Sequence, residues 1–198
     1  MDCILKVEHL TKTFVSQGRD DYTAVDDVSF SMNYGEKLAI IGESGSGKTT
    51  IAKELQKLFG KNTMLISQDV IRREMLNVDD GENTKALPLL KELLKYGNEH
   101  NEIVILEGIL RANWYNSLFE LAIELYNQNI YAYYFDMSFE ETLKRHQTRA
   151  CRDEFGEKEM KSWWREKDFA PILNEISITD EKDIQSIVSQ IYETVFEN

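Results

Sequence analysis

Short apolar runs alternate with longer amphipathic stretches from residue 37 to the end of the chain. The runs are continuous and rich in branched aliphatic side chains, which predicts strands buried in a parallel sheet. The predicted strands are 38–41, 63–67, 102–106, 130–136 and 176–178. The predicted helices are 50–59, 70–76, 84–96 (ending at Gly97), 113–127, 139–147 and 181–196. This alternation predicts an α/β fold, a parallel sheet flanked by helices, with its active edge at the strand carboxyl ends.

The first 36 residues follow a different pattern. Residues 4–14 and 25–32 both read as strands, and in the second Val28, Phe30 and Met32 alternate with polar residues. Such alternation is typical of a half-buried antiparallel strand. We therefore predict a small antiparallel β hairpin subdomain over residues 1–36 and a main domain over residues 37–198.

A glycine-rich segment joins the first parallel strand to the first helix of the main domain. It consists of Gly42, Glu43, Ser44, Gly45, Ser46, Gly47, Lys48, Thr49 and Thr50. The spacing fits the phosphate-binding pattern G-x-x-x-x-G-K-[ST] between a strand and a helix. Backbone amides there converge on a phosphate group, and the helix macrodipole adds positive charge. We expect a P-loop (Walker A) that binds ATP, with Lys48 on the β- and γ-phosphates and the Thr49 hydroxyl on Mg²⁺.

Composition restricts the partners and the compartment. The chain has 198 residues, 42% of them hydrophobic, and a formal net charge of −12. That charge opposes binding to a polyphosphate backbone, so no nucleic acid partner is expected. Cys3 and Cys151 are far apart in sequence, which favours a reducing compartment over disulfides. No apolar stretch approaches the ~18 residues of a membrane span. We expect a cytoplasmic protein without membrane insertion.

Residues 4–52 resemble the opening of the ATP-binding subunit of ABC transporters, on the words LKVEHLTKTF and VDDVSFSMNYGEKLAIIGESGSGKTT. The resemblance implies that Phe14 stacks on adenine, and a core aromatic at a strand end is the alternative. That family also needs an L-S-G-G-Q segment, a strand ending in Asp-Glu and a later switch histidine. The sequence after the phosphate loop contains no such segment, and its candidate strand ends in Leu106-Glu107-Gly108.

Residues 37–197 resemble the small P-loop kinases of the gluconate-kinase, chloramphenicol-phosphotransferase and zeta-toxin types. The matching words are LISQDVIRREM, VILEGIL and YYFDMSFEETLKRHQTR. The resemblance implies transfer of a phosphoryl group from Mg-ATP to a hydroxyl of a sugar, a nucleoside or an antibiotic-like molecule. It also implies a helical lid at about residues 147–171, with Arg149 and Arg152 in the lid and Arg145 just before it meeting the phosphates. Surface ion pairing is the alternative for each arginine.

Three further residues are candidates for the chemistry. Asp69, expected on the strand end beside the phosphate loop, can accept the acceptor's proton, or it can serve as a helix N-cap. Arg72 matches the acceptor-gripping position of such kinases, with a solvated helix charge as the alternative. Glu107 ends a buried strand and is expected at Mg²⁺ or its water shell. Pairing with Lys48 and acceptor binding are its alternatives.

The sequence leaves two other functions open and does not identify the phosphoryl acceptor. One is an ABC-type ATPase module or its remnant, and the other is a nucleotide-gated switch that binds a protein partner. No feature of the sequence indicates such a partner.

Overall fold

Strands and helices alternate along the chain. The computed structural model describes residues 3–14, 22–33, 37–42, 46–127, 129–147, 156–164, 167–179 and 184–197, with side chains from residue 46 onward except at 145–147, 162–163 and 196–197. The strands are β1 (Cys3–Phe14), β2 (Tyr22–Asn33), β3 (Lys37–Gly42), β4 (Thr63–Ser67), β5 (Ile103–Gly108), β6 (Ile130–Asp136) and β7 (Ile176–Thr179). The helices are α1 (Lys48–Phe59), α2 (Ala86–His100), α3 (Ala112–Tyr126), α4 (Phe139–Gln147), α5 (Glu157–Trp163) and α6 (Ile184–Glu197). Val70–Met75 forms a π-helical turn, and Pro171–Leu173 forms a 3₁₀ turn.

Five strands form one parallel sheet in the order β4-β5-β3-β6-β7. The central strand β3 has β5 on one side and β6 on the other, so that Ile41 lies opposite both Gly108 and Tyr134. The carboxyl ends of these three strands therefore surround the loop that follows β3, which is where open α/β sheets bind ligands. The predicted α/β class is confirmed.

The sheet is covered by helices on both faces, because successive side chains of each strand point to opposite sides. Ile103 and Ile105 of β5 belong to a core cluster with buried residues of α1 and α6. Val104 and Leu106 belong to a second cluster with buried residues of α2 and α3. This two-sided burial explains why β5 is an uninterrupted apolar run until Glu107.

The strands β1 and β2 pair antiparallel and form a two-stranded sheet of their own. Phe14 lies at the end of this ladder, opposite Tyr22. The predicted antiparallel pairing is present, and the assignment of residues 1–36 as a separate hairpin subdomain remains a prediction. In the part of the chain that the structure describes, no helix has the length and apolar character that crossing a membrane requires.

Gly97 does not end the third predicted helix. The helix α2 continues to His100, and Gly97 is buried inside it. A Cβ at Gly97 would lie 2.6 Å from Cγ2 of Val104 and 3.2 Å from Sδ of Met64. The glycine therefore permits close packing of α2 on the sheet, which the prediction mistook for a helix stop signal.

The predicted helix at residues 70–76 is a π-helical turn. The amide of Leu76 donates to the carbonyl of Ile71 at 3.0 Å, five residues back instead of four. Such turns are rare and are frequently found at functional sites.

Candidate active site

The described residues on either side of the phosphate-loop segment are a strand end and a helix start. Gly42 ends β3, and Gly47 precedes α1 with φ 96° and ψ 0°, a left-handed conformation that favours glycine. Ser46 and Lys48 are buried, and Thr50 is exposed on α1. Lys48 thus places a cation at the positive end of a helix macrodipole, an arrangement that a bound polyphosphate stabilises. The predicted ligands Glu43, Ser44 and Gly45 lie outside the described residues.

Glu107 joins three elements through one carboxylate. The residue is fully buried, and its Oε2 accepts a hydrogen bond from Oγ1 of Thr49 at 3.0 Å. Its Oε1 accepts a hydrogen bond from the Ser67 hydroxyl. The sheet register sets up this contact, because Ser67 at the end of β4 lies directly opposite Glu107. The first turn of α1 and the ends of β4 and β5 therefore meet at one set of oxygen atoms.

These oxygens suit Mg²⁺. Mg²⁺ prefers hard oxygen ligands and is commonly held by one or two protein side chains together with substrate phosphates and water. The Thr49 hydroxyl and the Glu107 carboxylate provide such donors beside the phosphate loop, and each carboxylate oxygen keeps further lone pairs. The donor set therefore fits the metal that the sequence predicts.

Asp69 and Arg72 form a pair at the end of β4. Nη2 of Arg72 donates to Oδ1 of Asp69 at 3.0 Å, and the two side chains are 18% and 34% exposed. Asp69 has helical dihedral angles, and its carboxylate makes no capping hydrogen bond. The Asp69 side chain therefore does not cap the helix, which was the alternative to a catalytic role. Arg72 is not a solvated helix charge either, since most of its side chain is buried.

The position of Asp69 differs in one respect from the expectation. The strand β4 is not the neighbour of β3, since β5 lies between them. Two inter-strand spacings separate the ends of β3 and β4 by roughly 10 Å. Asp69 and the phosphate loop therefore border the site from opposite sides, with Glu107 of β5 between them.

Three residues that the sequence analysis did not single out form a network next to Asp69. Nε2 of the buried Gln68 donates to the Tyr115 hydroxyl at 2.8 Å, and this hydroxyl donates to Oδ1 of Asp80 at 2.7 Å. Burial raises the pKa of Tyr115, and the hydrogen bond to Asp80 adds to the effect. One sequence signal could have indicated this network. Tyr115 falls on the buried face of α3, where the hydroxyl of a phenol needs a polar partner.

Gly108 makes room for this network. A Cβ at Gly108 would lie 2.6 Å from Cβ of Gln68. The Glu107-Gly108 dipeptide thus combines the buried carboxylate with the space that Gln68 occupies.

The remaining predicted site residues are less fully described. Arg145 lies in α4 without a described side chain, and Arg149 and Arg152 are outside the described residues. For Phe14 the structure gives the backbone alone. Within the predicted lid, α5 is present, and Trp164 packs edge-on against Phe139 with ring centroids 5.5 Å apart. The lid and its arginines remain predictions.

A parallel sheet covered by helices, with a phosphate-loop sequence after its central strand, is the architecture of P-loop NTPases, to which the P-loop kinases belong. Comparison with solved structures supports this class. A gluconokinase from Sinorhizobium meliloti 1021 is similar with a TM-score of 0.62 and 13% identity, covering 83% of this chain and 93% of that one. The APS kinase CysC of Mycobacterium tuberculosis, solved with AMPPNP and APS, has a TM-score of 0.54 and 18% identity, covering 84% and 100%. At these identities the similarity establishes the fold alone.

The sequence also matches a family model. Residues 38–168 match the AAA_33 family, described as an AAA domain, and the chain belongs to this family. The oligopeptide transport ATP-binding protein OppD of Escherichia coli (strain K12) is 41% identical over 85 residues, which are 42% of this chain and 25% of OppD. The chain thus spans about a quarter of that relative. Both predicted resemblances are confirmed, the kinase one by fold and the ABC one over part of the chain.

Proposed function

We propose that this protein transfers the γ-phosphoryl group of Mg-ATP to a hydroxyl group of a small molecule. One juxtaposition carries the proposal: the Asp69–Arg72 pair lies across Glu107 from the phosphate-loop helix, and Arg72 lines an open depression of about 700 Å³. Ligand sites for small molecules usually have volumes of about 300–1,000 Å³. A hydrolase for ATP alone needs no such second cavity.

Each residue then has a defined task. Lys48 and the loop amides hold the β- and γ-phosphates, and the carboxylate of Asp69 accepts the proton of the acceptor hydroxyl. The acceptor oxygen forms the new bond to phosphorus while the bond to the ADP oxygen breaks. Arg72 orients Asp69 through the hydrogen bond between them.

Thr49 and Glu107 would hold Mg²⁺, which supplies positive charge to the phosphates when bound. The Ser67 hydroxyl orients the Glu107 carboxylate. From the family resemblance we add two proposals: Arg149 and Arg152 approach the transferring group from the lid and Arg145 from the helix before it, and Phe14 lies against adenine.

The test is ADP release in the presence of Mg-ATP and panels of sugars, nucleosides, aminoglycosides and phenicols. We expect one panel to raise ADP release above the acceptor-free rate, and Asp69→Asn to lower the stimulated rate by about 10²–10⁴-fold. Glu92→Gln is the matched control, because Glu92 also forms an i,i+3 pair, with Lys95, on an exposed helix face. Stimulation that survives Asp69→Asn would remove this residue from the mechanism.

An ABC-type ATPase module is the alternative that the partial identity to OppD favours. It requires two copies of the chain to enclose ATP between them. Sedimentation of Glu107→Gln at saturating Mg-ATP distinguishes the two functions. A dimer that forms only with ATP supports the module, and a monomer under these conditions supports the kinase.

A further inference from the structure

We propose that a cavity at the amino edge of the parallel sheet binds a small uncharged molecule that carries a ring and an amide group. The cavity has a volume of about 440 Å³, within the range of about 300–1,000 Å³ that is usual for small-molecule sites. It lies between the carboxyl end of α3, the start of β6 and the 3₁₀ turn that precedes β7. Because the strands are parallel, this edge is opposite the one that carries Glu107. Such a site is separate from phosphoryl transfer and does not depend on the proposed function.

Ala132 leaves the space that the cavity occupies. On β6, the side chains of Ile130, Ala132 and Tyr134 belong to the core on the α3 side of the sheet, and that of Ala132 is the smallest. Ile123 of α3 and Leu173 of the 3₁₀ turn add apolar groups to the lining. Protein interiors are close-packed, so a small residue in a row of large ones leaves volume that its neighbours do not fill. A larger side chain at position 132 would therefore close the cavity.

Two isoleucines expose apolar surface beside this space. Ile172 in the 3₁₀ turn and Ile176 at the start of β7 are each 41% exposed, and both line the cavity. A ligand with an apolar body would remove this surface from water, which is favourable. A flat ring supplies such a body and has little internal freedom to lose on binding. The lining therefore favours a ligand that contains a ring.

The lining is uncharged. Charged residues make up 29% of the chain, yet none of the described residues around the cavity carries a charge. An ion placed there would lose hydration without gaining a partner of opposite charge, which is costly. The ligand should therefore be neutral, in contrast to the polyphosphate expected at the other edge of the sheet.

Two asparagines add hydrogen-bonding groups to the lining. Asn127 follows α3 and Asn174 follows the 3₁₀ turn, and both have φ 51°. Their backbone amides donate to the carbonyls of Ile123 and Pro171, at 2.8 and 3.2 Å, which holds both positions in place. An asparagine side chain both donates and accepts hydrogen bonds. A carboxamide on the ligand can therefore form two reciprocal hydrogen bonds with one of these side chains.

Isoleucine methyl groups can report on this site directly. Four of the lining residues are isoleucines, namely Ile123, Ile130, Ile172 and Ile176. The full chain, labelled with ¹³C at the isoleucine δ1 methyls, is titrated with benzamide, benzoate and toluene. These compounds share one ring and carry an amide, a carboxylate or a methyl group. The methyls of Ile51 in α1 and Ile66 in β4 are the internal controls, because both side chains are buried elsewhere.

We expect benzamide to shift the methyls of the four cavity isoleucines saturably and to leave the two control methyls unchanged. Toluene should bind about 2–10-fold more weakly than benzamide, because it lacks the hydrogen bonds of the amide. Benzoate should bind at least about 10-fold more weakly, because its charge finds no partner in the cavity. Equal affinity of benzamide and either other compound, or no saturable shift at all, would overturn the inference.

Two variants test the location of the site. Ala132→Leu should abolish the benzamide shifts by filling the cavity, and unchanged methyl signals of Ile51 and Ile66 verify that the variant is folded. Asn174→Gly removes the amide and retains a residue that tolerates a left-handed backbone, so it should lower the preference for benzamide over toluene. Asn77→Gly is the matched control, because Asn77 has φ 50° and lies outside this lining. Benzamide shifts that persist in Ala132→Leu, or equal preferences in the two asparagine variants, would contradict the proposed site.

Discussion

The two walls of the candidate site are built in different ways. Among the described residues, the phosphate wall combines the contiguous residues Ser46 to Thr49 with Glu107, which is distant in sequence. The acceptor wall combines Asp69 and Arg72 with Asp80 and Tyr115, which come from separate segments of the chain. A short motif can therefore specify phosphate binding in many proteins, whereas the acceptor depends on how this particular fold is assembled.

The largest expected effect is on the phosphate wall. Lys48→Met should lower acceptor-stimulated ADP release by about 10²–10³-fold, because it removes a preorganised charge from the transferring phosphate. Lys57→Met on the same helix is the control, since Lys57 is exposed and pairs with Glu54. Steady-state ADP release measures both variants. Equal rates for the two would show that the phosphate wall does not act in transfer.

Glu107→Gln tests the residue that links the two walls. It should raise the Mg²⁺ concentration needed for half-maximal activity by about 10–100-fold, as loss of a metal ligand or its close support does. Ser67→Ala should give a smaller increase, because it removes one hydrogen bond and keeps the carboxylate. Magnesium titrations at fixed ATP provide the measurement. An unchanged requirement in Glu107→Gln would remove this residue from the metal site.

Tyr115→Phe tests whether the acceptor wall is a separate unit. The variant should lose about 1–3 kcal/mol of unfolding free energy, because Gln68 and Asp80 each lose a buried partner. Hydrogen exchange should become faster at residues 77–84, while ATP affinity stays unchanged. Urea unfolding and exchange mass spectrometry measure these effects.

Tyr126→Phe is the matched control, because Tyr126 lies on α3 like Tyr115. Its hydroxyl donates to the carbonyl of Leu94 in α2 at 2.6 Å. It should lower stability without faster exchange at residues 77–84. Similar exchange in the two variants would contradict a specific role for Tyr115 at this wall.

Glu175 provides the smallest effect and lies in neither wall. Burial raises the pKa of Glu175 to about 7 from an ordinary value of 4.5, with the nearby Asp168 carboxylate adding to the shift and the Ala170 amide opposing it. Between about pH 4.5 and pH 7 the folded state therefore keeps the proton on Glu175, whereas the unfolded state loses it. The free energy of unfolding falls as pH rises through this interval. Glu175→Gln should reduce that fall by about 1–2 kcal/mol, after allowance for solvent screening. Thermal unfolding between pH 4.5 and 8 measures it, and a pH dependence identical to that of the unmutated protein would contradict the assignment.

The sequence predicted what is local and missed what tertiary packing decides. The strand–loop–helix unit around Gly47 follows from short-range pattern, and so does the buried strand that ends at Glu107. By contrast, β5 separates Asp69 from the phosphate loop, and no sequence pattern gives the order of strands in a sheet. The contact between Tyr115 and Asp80 spans 35 positions.

Two local errors have different physical origins. Gly97 resembled a helix stop because glycine is common just after the last residue of a helix. In the structure, close packing of α2 on Val104 requires a glycine at this position inside the helix. The π-helical turn at Val70–Met75 has an amphipathic pattern that does not distinguish it from an α-helix over so few residues.

The central claim is that the phosphoryl group moves to a small organic molecule across the Asp69 wall. The direct measurement uses γ-³²P-labelled ATP with Mg²⁺ and pooled hydroxylated acceptors, followed by chromatographic separation of the products. The account predicts labelled organic phosphate with the unmodified chain and its loss in Asp69→Asn. Label found only in inorganic phosphate, in equal amounts with both proteins, would contradict it.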